Sequence, residues 1–76
     1  MKAAAKTKLE SLAKQLDDIH REIEGVKDEA QSDYDDKSEA WQEGDNGQAE
    51  YEKLSVLEEA LGYLAEAGGA LAEAAS

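Results

Sequence analysis

Apolar residues recur at alternating steps of three and four along two stretches of this chain, and that spacing limits what the chain can fold into. In the first stretch the spacing joins Leu9, Leu12, Leu16, Ile19, Ile23, Val26 and Ala30. In the second it joins Leu54, Leu57, Leu61, Leu64, Gly68, Leu71 and Ala75. This spacing places one side of an α-helix against a partner helix. The sequence therefore predicts an all-α protein in which two long helices form an antiparallel hairpin.

A break separates the two stretches. The sequence Gly44-Asp45-Asn46-Gly47 has turn-forming residues at all four positions. We predict helix 1 over about residues 3–34, a turn over 44–47 and helix 2 over about 48–74. All of these belong to one domain, residues 1–76, because a chain of this length forms one small domain at most.

The spacing changes just before the break, where the large side chains are Tyr34 and Trp41. They are reached by an extra step of four residues, which is either a stutter in a continuous coiled-coil helix or the point where the helix ends. Ser38 is a preferred N-cap residue and precedes a segment able to form a helical turn. We favour the second interpretation: a bend after residue 34, then a short helix over about 38–42.

Acidic residues are concentrated around this bend. Residues 28–52, which we call the acidic elbow, contain ten acidic side chains and one lysine, and so carry −9 of the total charge of −11. The ten are Asp28, Glu29, Asp33, Asp35, Asp36, Glu39, Glu43, Asp45, Glu50 and Glu52. Charge confined to one end of a hairpin creates a field that selects binding partners.

The chain is close to the lower size limit for folding alone, at 76 residues without cysteine. Disulfides and thiolate metal sites are excluded, so oligomerisation is the remaining support. Helix 2 also carries a second apolar strip at intervals of seven: Ala49, Val56, Tyr63 and Ala70. One partner helix cannot cover both sides. We therefore expect a homodimer, most simply a four-helix bundle, with these leucines in the hairpin core or the dimer contact: Leu54, Leu57, Leu61 and Leu64.

No stretch of the sequence is apolar for long enough to cross a membrane. The segment from Met1 to Lys6 is basic but lacks the apolar centre of a signal peptide. The lack of cysteine fits a reducing compartment. We expect a cytoplasmic protein with no membrane partner.

The only histidine, His20, has Asp17 and Glu24 at helical spacing. One imidazole without cysteine or a second histidine is a poor transition-metal site. Position 20 follows Ile19 at the edge of the apolar strip, so we expect His20 to face solvent or the edge of a dimer.

A calcium-binding loop is the other metal site that acidic residues suggest. A loop starting at Asp33 would place Lys37 at its fifth position, Ser38 where glycine is needed and Gly44 where glutamate is needed. The sequence also lacks a nucleophile–base pair, a phosphate-binding glycine loop and a set of metal ligands. We predict that the protein is not an enzyme and needs no cofactor.

Two residues outside the acidic set have two interpretations each. Trp41 either covers the end of the hairpin core together with Tyr34 and Tyr51, which we favour, or forms an exposed aromatic anchor for a partner. Gly68 lies in the apolar strip of helix 2, where it either permits close approach of another backbone or marks fraying of the last turns.

Several residues of the elbow follow a recognisable spacing: Glu29, Gln31, Tyr34, Asp35, Glu39, Gln42, Gly47 and Ala49. The sequence Leu57-Glu58-Glu59-Ala60-Leu61 follows them. Together they resemble small, uncharacterised acidic helical proteins of bacteria, phages and mobile elements, over about residues 16–66. Their shared run reads approximately Glu-Glu-Gln-x-x-Phe/Tyr-Asp-Asn-x-Pro-Glu-x-Leu-Gln-x-Ser-x-x-Gly-x-Ala. This chain departs from it with Ser38 in place of the usual proline, Asp36 in place of asparagine, Trp41 in place of leucine and Gly44 in place of serine. The resemblance implies a bend near residues 36–38 and a short helix after it, and it implies no activity.

These observations favour an acidic protein-binding module. One function is a phage or mobile-element inhibitor that mimics nucleic acid and occupies the basic channel of a host nuclease, repressor or CRISPR effector, without binding nucleic acid itself. Carboxylates spaced by one or two helical turns, about 5–11 Å, match the spacing of phosphates along a DNA strand. The alternative is a structural or adaptor bundle whose acidic surface only provides solubility. The expected contact residues are Asp28, Asp35, Asp36, Glu39, Trp41 and Glu43.

Overall fold

A computed structural model describes all residues, 1–76, and contains three α-helices and no strand. They are α1 (Ala3–Asp35), α2 (Glu39–Glu43) and α3 (Asp45–Ala75). The two long helices pack against each other side by side, with Tyr34 near Tyr51 and Lys27 near Glu58. Such pairs, whose residue numbers rise on one helix as they fall on the other, show an antiparallel hairpin. The molecule is a rod of 58 × 15 × 12 Å, and the all-α prediction is confirmed.

None of the helices combines the length and the apolar composition that crossing a membrane requires.

The short helix after a bend is also present, because α1 ends at Asp35 and α2 begins at Glu39. The predicted turn over 44–47 is wrong. Only Gly44 separates α2 from α3, and the next three residues form the first turn of α3. Gly44 is extended (φ −80°, ψ 179°) and its carbonyl accepts the first helical hydrogen bond of α3, from the Gln48 amide at 3.0 Å. Residue types that favour turns also favour helix N-termini, and Asp45 there faces the positive end of the helix dipole.

Helix α1 turns only part of its predicted apolar strip toward α3. Leu9, Leu16, Ile23 and Ala30 are half-buried, whereas Leu12, Ile19 and Val26 of the same strip are 38%, 42% and 58% exposed. The partly buried residues of α1 from position 9 to position 34 include a column at intervals of seven, Ala13, His20, Lys27 and Tyr34. A helix is rigid, so turning Tyr34 inward at the bend turns the other three residues of its column inward as well. The extra four-residue step that leads to Tyr34 therefore determines which side of α1 faces α3.

The contact side of α3 follows its predicted spacing. Leu54 and Leu61 are 5% and 8% exposed, and Leu57 and Leu64 are half-buried beside them. The second strip of α3 faces solvent, and both Val56 and Tyr63 on it are exposed. Only four of the 76 residues are buried in the single chain. The hairpin core is therefore one thin row of contacts.

Of the two alternatives for Gly68, a close backbone approach does not occur within one chain, because a side chain added there would meet no atom within 4 Å. Helix α3 also continues past it to Ala75. A groove of about 480 Å³ lies beside this glycine, between α1 and α3. Space at this end of the hairpin is thus left unfilled by either helix.

Candidate functional site

The bend between α1 and α2 is fixed by side-chain hydrogen bonds to the backbone. Gln42 Nε2 donates to the carbonyl oxygens of Tyr34 at 2.9 Å and Lys37 at 3.2 Å. The Tyr34 carbonyl lies in the last turn of α1 and also accepts from the Lys37 amide at 3.1 Å, and Lys37 lies two residues beyond the end of α1. Ser38 Oγ accepts a hydrogen bond from the Trp41 amide at 3.2 Å and caps α2, as predicted. One short polar segment therefore closes the end of one helix and starts the next.

Gly47 brings α3 into direct contact with α2. It is buried, and a Cβ atom at this position would collide with the backbone carbonyl oxygens of Trp41 and Gln42. Only glycine allows two backbones to approach this closely. Sequence reasoning assigned Gly47 to a turn and missed this role, because the contact partner is another helix and no local pattern reports it.

Three aromatic side chains meet where α1, α2 and α3 join. The Tyr34 ring centroid lies 6.1 Å from that of Trp41, edge to face, and 6.3 Å from that of Tyr51. Lys37 Nζ sits 5.3 Å from the Trp41 ring centroid, within the range of a cation–π contact. Trp41 is half-buried. Trp41 thus packs against Tyr34 at the end of the hairpin core, whereas Tyr51 is 61% exposed. A partner contact at Trp41 stays a prediction.

The carboxylates of the acidic elbow point into solvent. Nine of the ten are exposed and Glu50 is half-buried. Glu50 is also the only one with a cationic partner, Lys53, at 3.5 Å. The other three ion pairs of the protein involve acids outside the elbow. The elbow therefore keeps its negative charge almost entirely uncompensated by the protein itself.

The predicted contact residues fall into two groups on two helices. Asp28 and Asp35 lie on one face of α1, about 10 Å apart along its axis, and Glu39 and Glu43 lie on one face of α2, about 6 Å apart. Asp36 is the C-cap of α1. The chain is not helical between Asp36 and Ser38, so the regular spacing expected across the whole set holds only inside each group.

His20 is half-buried in the single chain and does not fully face solvent, and its alternative placement at the edge of a dimer stays a prediction. Its side chain is 27% exposed, and Nδ1 lies 3.1 Å from Glu24 Oε1. Asp17 pairs instead with Arg21, at 3.0 Å, so no carboxylate–histidine–carboxylate patch forms. The ring lines the groove beside Gly68, because it shares a column of α1 with Tyr34. The structure contains no group of three side chains suited to hold a metal ion.

Comparison with known proteins gives no match among protein-family models, curated proteins or solved structures. The comparisons therefore add nothing to the functional argument, and the resemblance to small acidic proteins of phages and mobile elements stays a prediction.

Proposed function

We propose that this protein is an acidic protein-binding module that acts by binding and not by catalysis, and that its acidic elbow binds a basic surface of another protein. The observation that carries this proposal is the uncompensated charge: of ten acidic side chains, only Glu50 has a cationic neighbour in the chain. A surface of one sign steers and selects a partner of the opposite sign.

The shape of the elbow supports the same proposal. The Ser38 cap, the paired hydrogen bonds of Gln42 and the backbone contact at Gly47 hold α2 in one position. Carboxylates on a fixed framework lose little conformational freedom when a partner binds, so less of the interaction energy is lost.

Within this class, we propose that the elbow mimics nucleic acid and inhibits a basic host protein. Glu39 and Glu43 are about 6 Å apart along α2, which is comparable with the spacing of neighbouring phosphates, whereas Asp28 and Asp35 are about 10 Å apart along α1. A nuclease, a repressor or a CRISPR effector offers the basic channel that such a surface fits. The resemblance to phage and mobile-element proteins favours this source. We further propose that the protein acts as a homodimer, because apolar strips of both long helices remain exposed in one chain.

The test is charge reversal at the elbow with a matched control. The elbow variant changes Asp35, Asp36, Glu39 and Glu43 to lysine. The control variant changes four exposed acids elsewhere to lysine, with the same change of net charge: Glu10, Glu59, Glu66 and Glu73. None of these eight forms an ion pair. Both variants should keep wild-type helicity by circular dichroism.

Each protein is then used to capture partners from a bacterial lysate, followed by binding assays with the purified partner. We expect the wild type and the control to capture the same basic protein, and the elbow variant to lose it. Binding should weaken steeply with salt, because exposed charges are screened beyond about 8 Å at physiological ionic strength. Duplex DNA or RNA should compete for the same site on the partner.

Capture that ignores both the elbow charges and the salt concentration would contradict the proposal. Capture that depends on the charges but resists nucleic-acid competition would contradict only the mimicry. If a Trp41→Ala variant alone lost the partner, the adaptor alternative would replace the inhibitor.

A further inference from the structure

One side of the hairpin is apolar and has no partner. On α1 it is formed by Leu12, Ile19 and Val26, which are all exposed. On α3 it is formed by exposed or half-exposed residues on the flank of the leucine row: Val56, Ala60, Tyr63, Ala67 and Ala70. We call these eight residues the apolar face.

Both halves of the apolar face lie on the same side of the rod. The groove beside Gly68 is lined by Asp17 and His20 of α1 and by Ala65 and Gly69 of α3, which places these four on one common side. A helix turns by about 100° per residue. On each helix, the groove residues therefore lie on one side of the line along which α1 and α3 touch, and the residues aligned with Leu12 or Ala60 lie on the other side. They therefore share the opposite side.

The exposed area of the molecule is large enough to include a stable protein–protein interface. A compact monomer of 8.2 kDa exposes about 4,500 Å², whereas this hairpin exposes 5672 Å². The excess, on the order of 1,000 Å², is close to the roughly 800 Å² that each partner buries in a stable protein–protein interface. A second rod of the same length can cover the face from end to end.

We propose that the apolar face binds a second copy of this chain in an antiparallel arrangement, with the two acidic elbows at opposite ends of the dimer. This deepens the dimer part of the proposed function. Charge selects the arrangement: residues 28–52 carry −9, whereas residues 1–14 carry +3. A parallel pair would place two strongly negative elbows side by side. The antiparallel pair places each elbow beside the lysine-rich end of its partner.

The spacing of the apolar face suits this two-fold symmetry. With the axis at Ile19, Leu12 of one copy lies opposite Val26 of the other, because both are seven residues away. On α3 the same level of the rod falls midway between Tyr63 and Ala70, as the contacts Tyr34–Tyr51 and Lys27–Glu58 show. A two-fold axis at this level therefore places the large Tyr63 of one copy opposite the small Ala70 of the other. At the edge of the face, Lys8 lies beside Glu29 of the second copy.

Cysteine cross-linking tests the orientation, because the natural chain contains no cysteine. Ile19→Cys lies on the proposed axis, so its two copies should cross-link efficiently with a short bis-maleimide. Spin labels at Ala40→Cys, on α2, should be separated by a distance near the length of the rod, 58 Å. In a parallel dimer the Ala40 labels would lie within the thickness of two hairpins and Ile19 would face α3 of the partner. Those two results would overturn the proposal.

A second pair of variants tests the face itself. Ile19→Lys should reduce the mass measured by light scattering from two chains to one, because the two lysines would meet in an apolar contact. Ser55→Lys, exposed and about 100° around α3 from Val56, lies outside the apolar face and should remain a dimer. A wild-type mass of one chain, or a dimer that survives Ile19→Lys, would overturn the proposal. These measurements need no binding partner, so their failure leaves the proposal for the elbow intact.

Discussion

The two ends of this hairpin are held together by different means. At the elbow, directional contacts dominate: the Ser38 cap, the Gln42 hydrogen bonds, three packed aromatic rings and the backbone contact at Gly47. At the open end there is no aromatic residue, Lys2 provides no side-chain cap for α1, and a groove separates the helices beside Gly68. The elbow can therefore keep its shape by local contacts, whereas the open end depends on what packs against it.

The largest effect is expected from a change in the leucine row of α3, because this row forms the hairpin contact on which both ends depend. Changing Leu61 and Leu64 to aspartate places carboxylates in the hairpin contact, where Leu61 is 8% exposed. Unpaired buried charge costs several kcal/mol, about the whole stability of a domain this small. Helicity and dimer should be lost together, measured by far-UV circular dichroism and light scattering. Ser55→Asp, which adds charge on an exposed side, should change neither. A helical double variant would show that the elbow alone can hold the hairpin.

The next largest effect is expected at the elbow and not at the open end. Gly47→Ala should destabilise the protein by about 1–3 kcal/mol, since the added Cβ forces α2 and α3 apart. Trp41 is the only tryptophan, so its fluorescence and near-UV circular dichroism should report the displacement of α2 directly. Denaturant unfolding gives the free energy. Unchanged stability with an unchanged tryptophan signal would mean that the backbones at the elbow are not in contact.

A smaller effect is expected from the cap of α2. Ser38→Ala removes the acceptor for the Trp41 amide and should cost about 1 kcal/mol. Ser38→Asp keeps an acceptor and should restore most of that loss. The comparison of the three proteins by denaturant unfolding isolates the cap. If alanine and aspartate behave alike, the hydrogen bond to Trp41 does not hold the bend.

The smallest effect has the opposite sign and lies at the open end. Gly68→Ala should stabilise the protein by up to about 1 kcal/mol, because alanine is the better helix former and the site has free space. The same chemical change thus has opposite consequences at Gly47 and Gly68. A destabilised Gly68→Ala variant would show that another backbone approaches this glycine after all.

The sequence predicted the features that depend on local residue patterns. Apolar spacing predicted both long helices, and Ser38 predicted the start of α2. The sequence did not predict the features that depend on contacts between helices. The inward turn of His20 and Lys27 follows from Tyr34 packing at the bend, and the need for glycine at position 47 comes from the backbone of α2. The first turn of α3 was mistaken for a loop because the same residue types serve both.

The single-residue link at Gly44 has a consequence for the two surfaces of the molecule. Its amide donates the last helical hydrogen bonds of α2, and its carbonyl accepts the first one of α3. The two helices are therefore joined without a flexible linker. Adding or deleting one residue there would change the orientation of α2 relative to α3 and break the backbone contact at Gly47. The acidic surface and the apolar face are therefore held at a fixed relative angle, and a substitution in either leaves that angle unchanged. Insertions and deletions at this joint, unlike substitutions, would alter the direction in which the charge points.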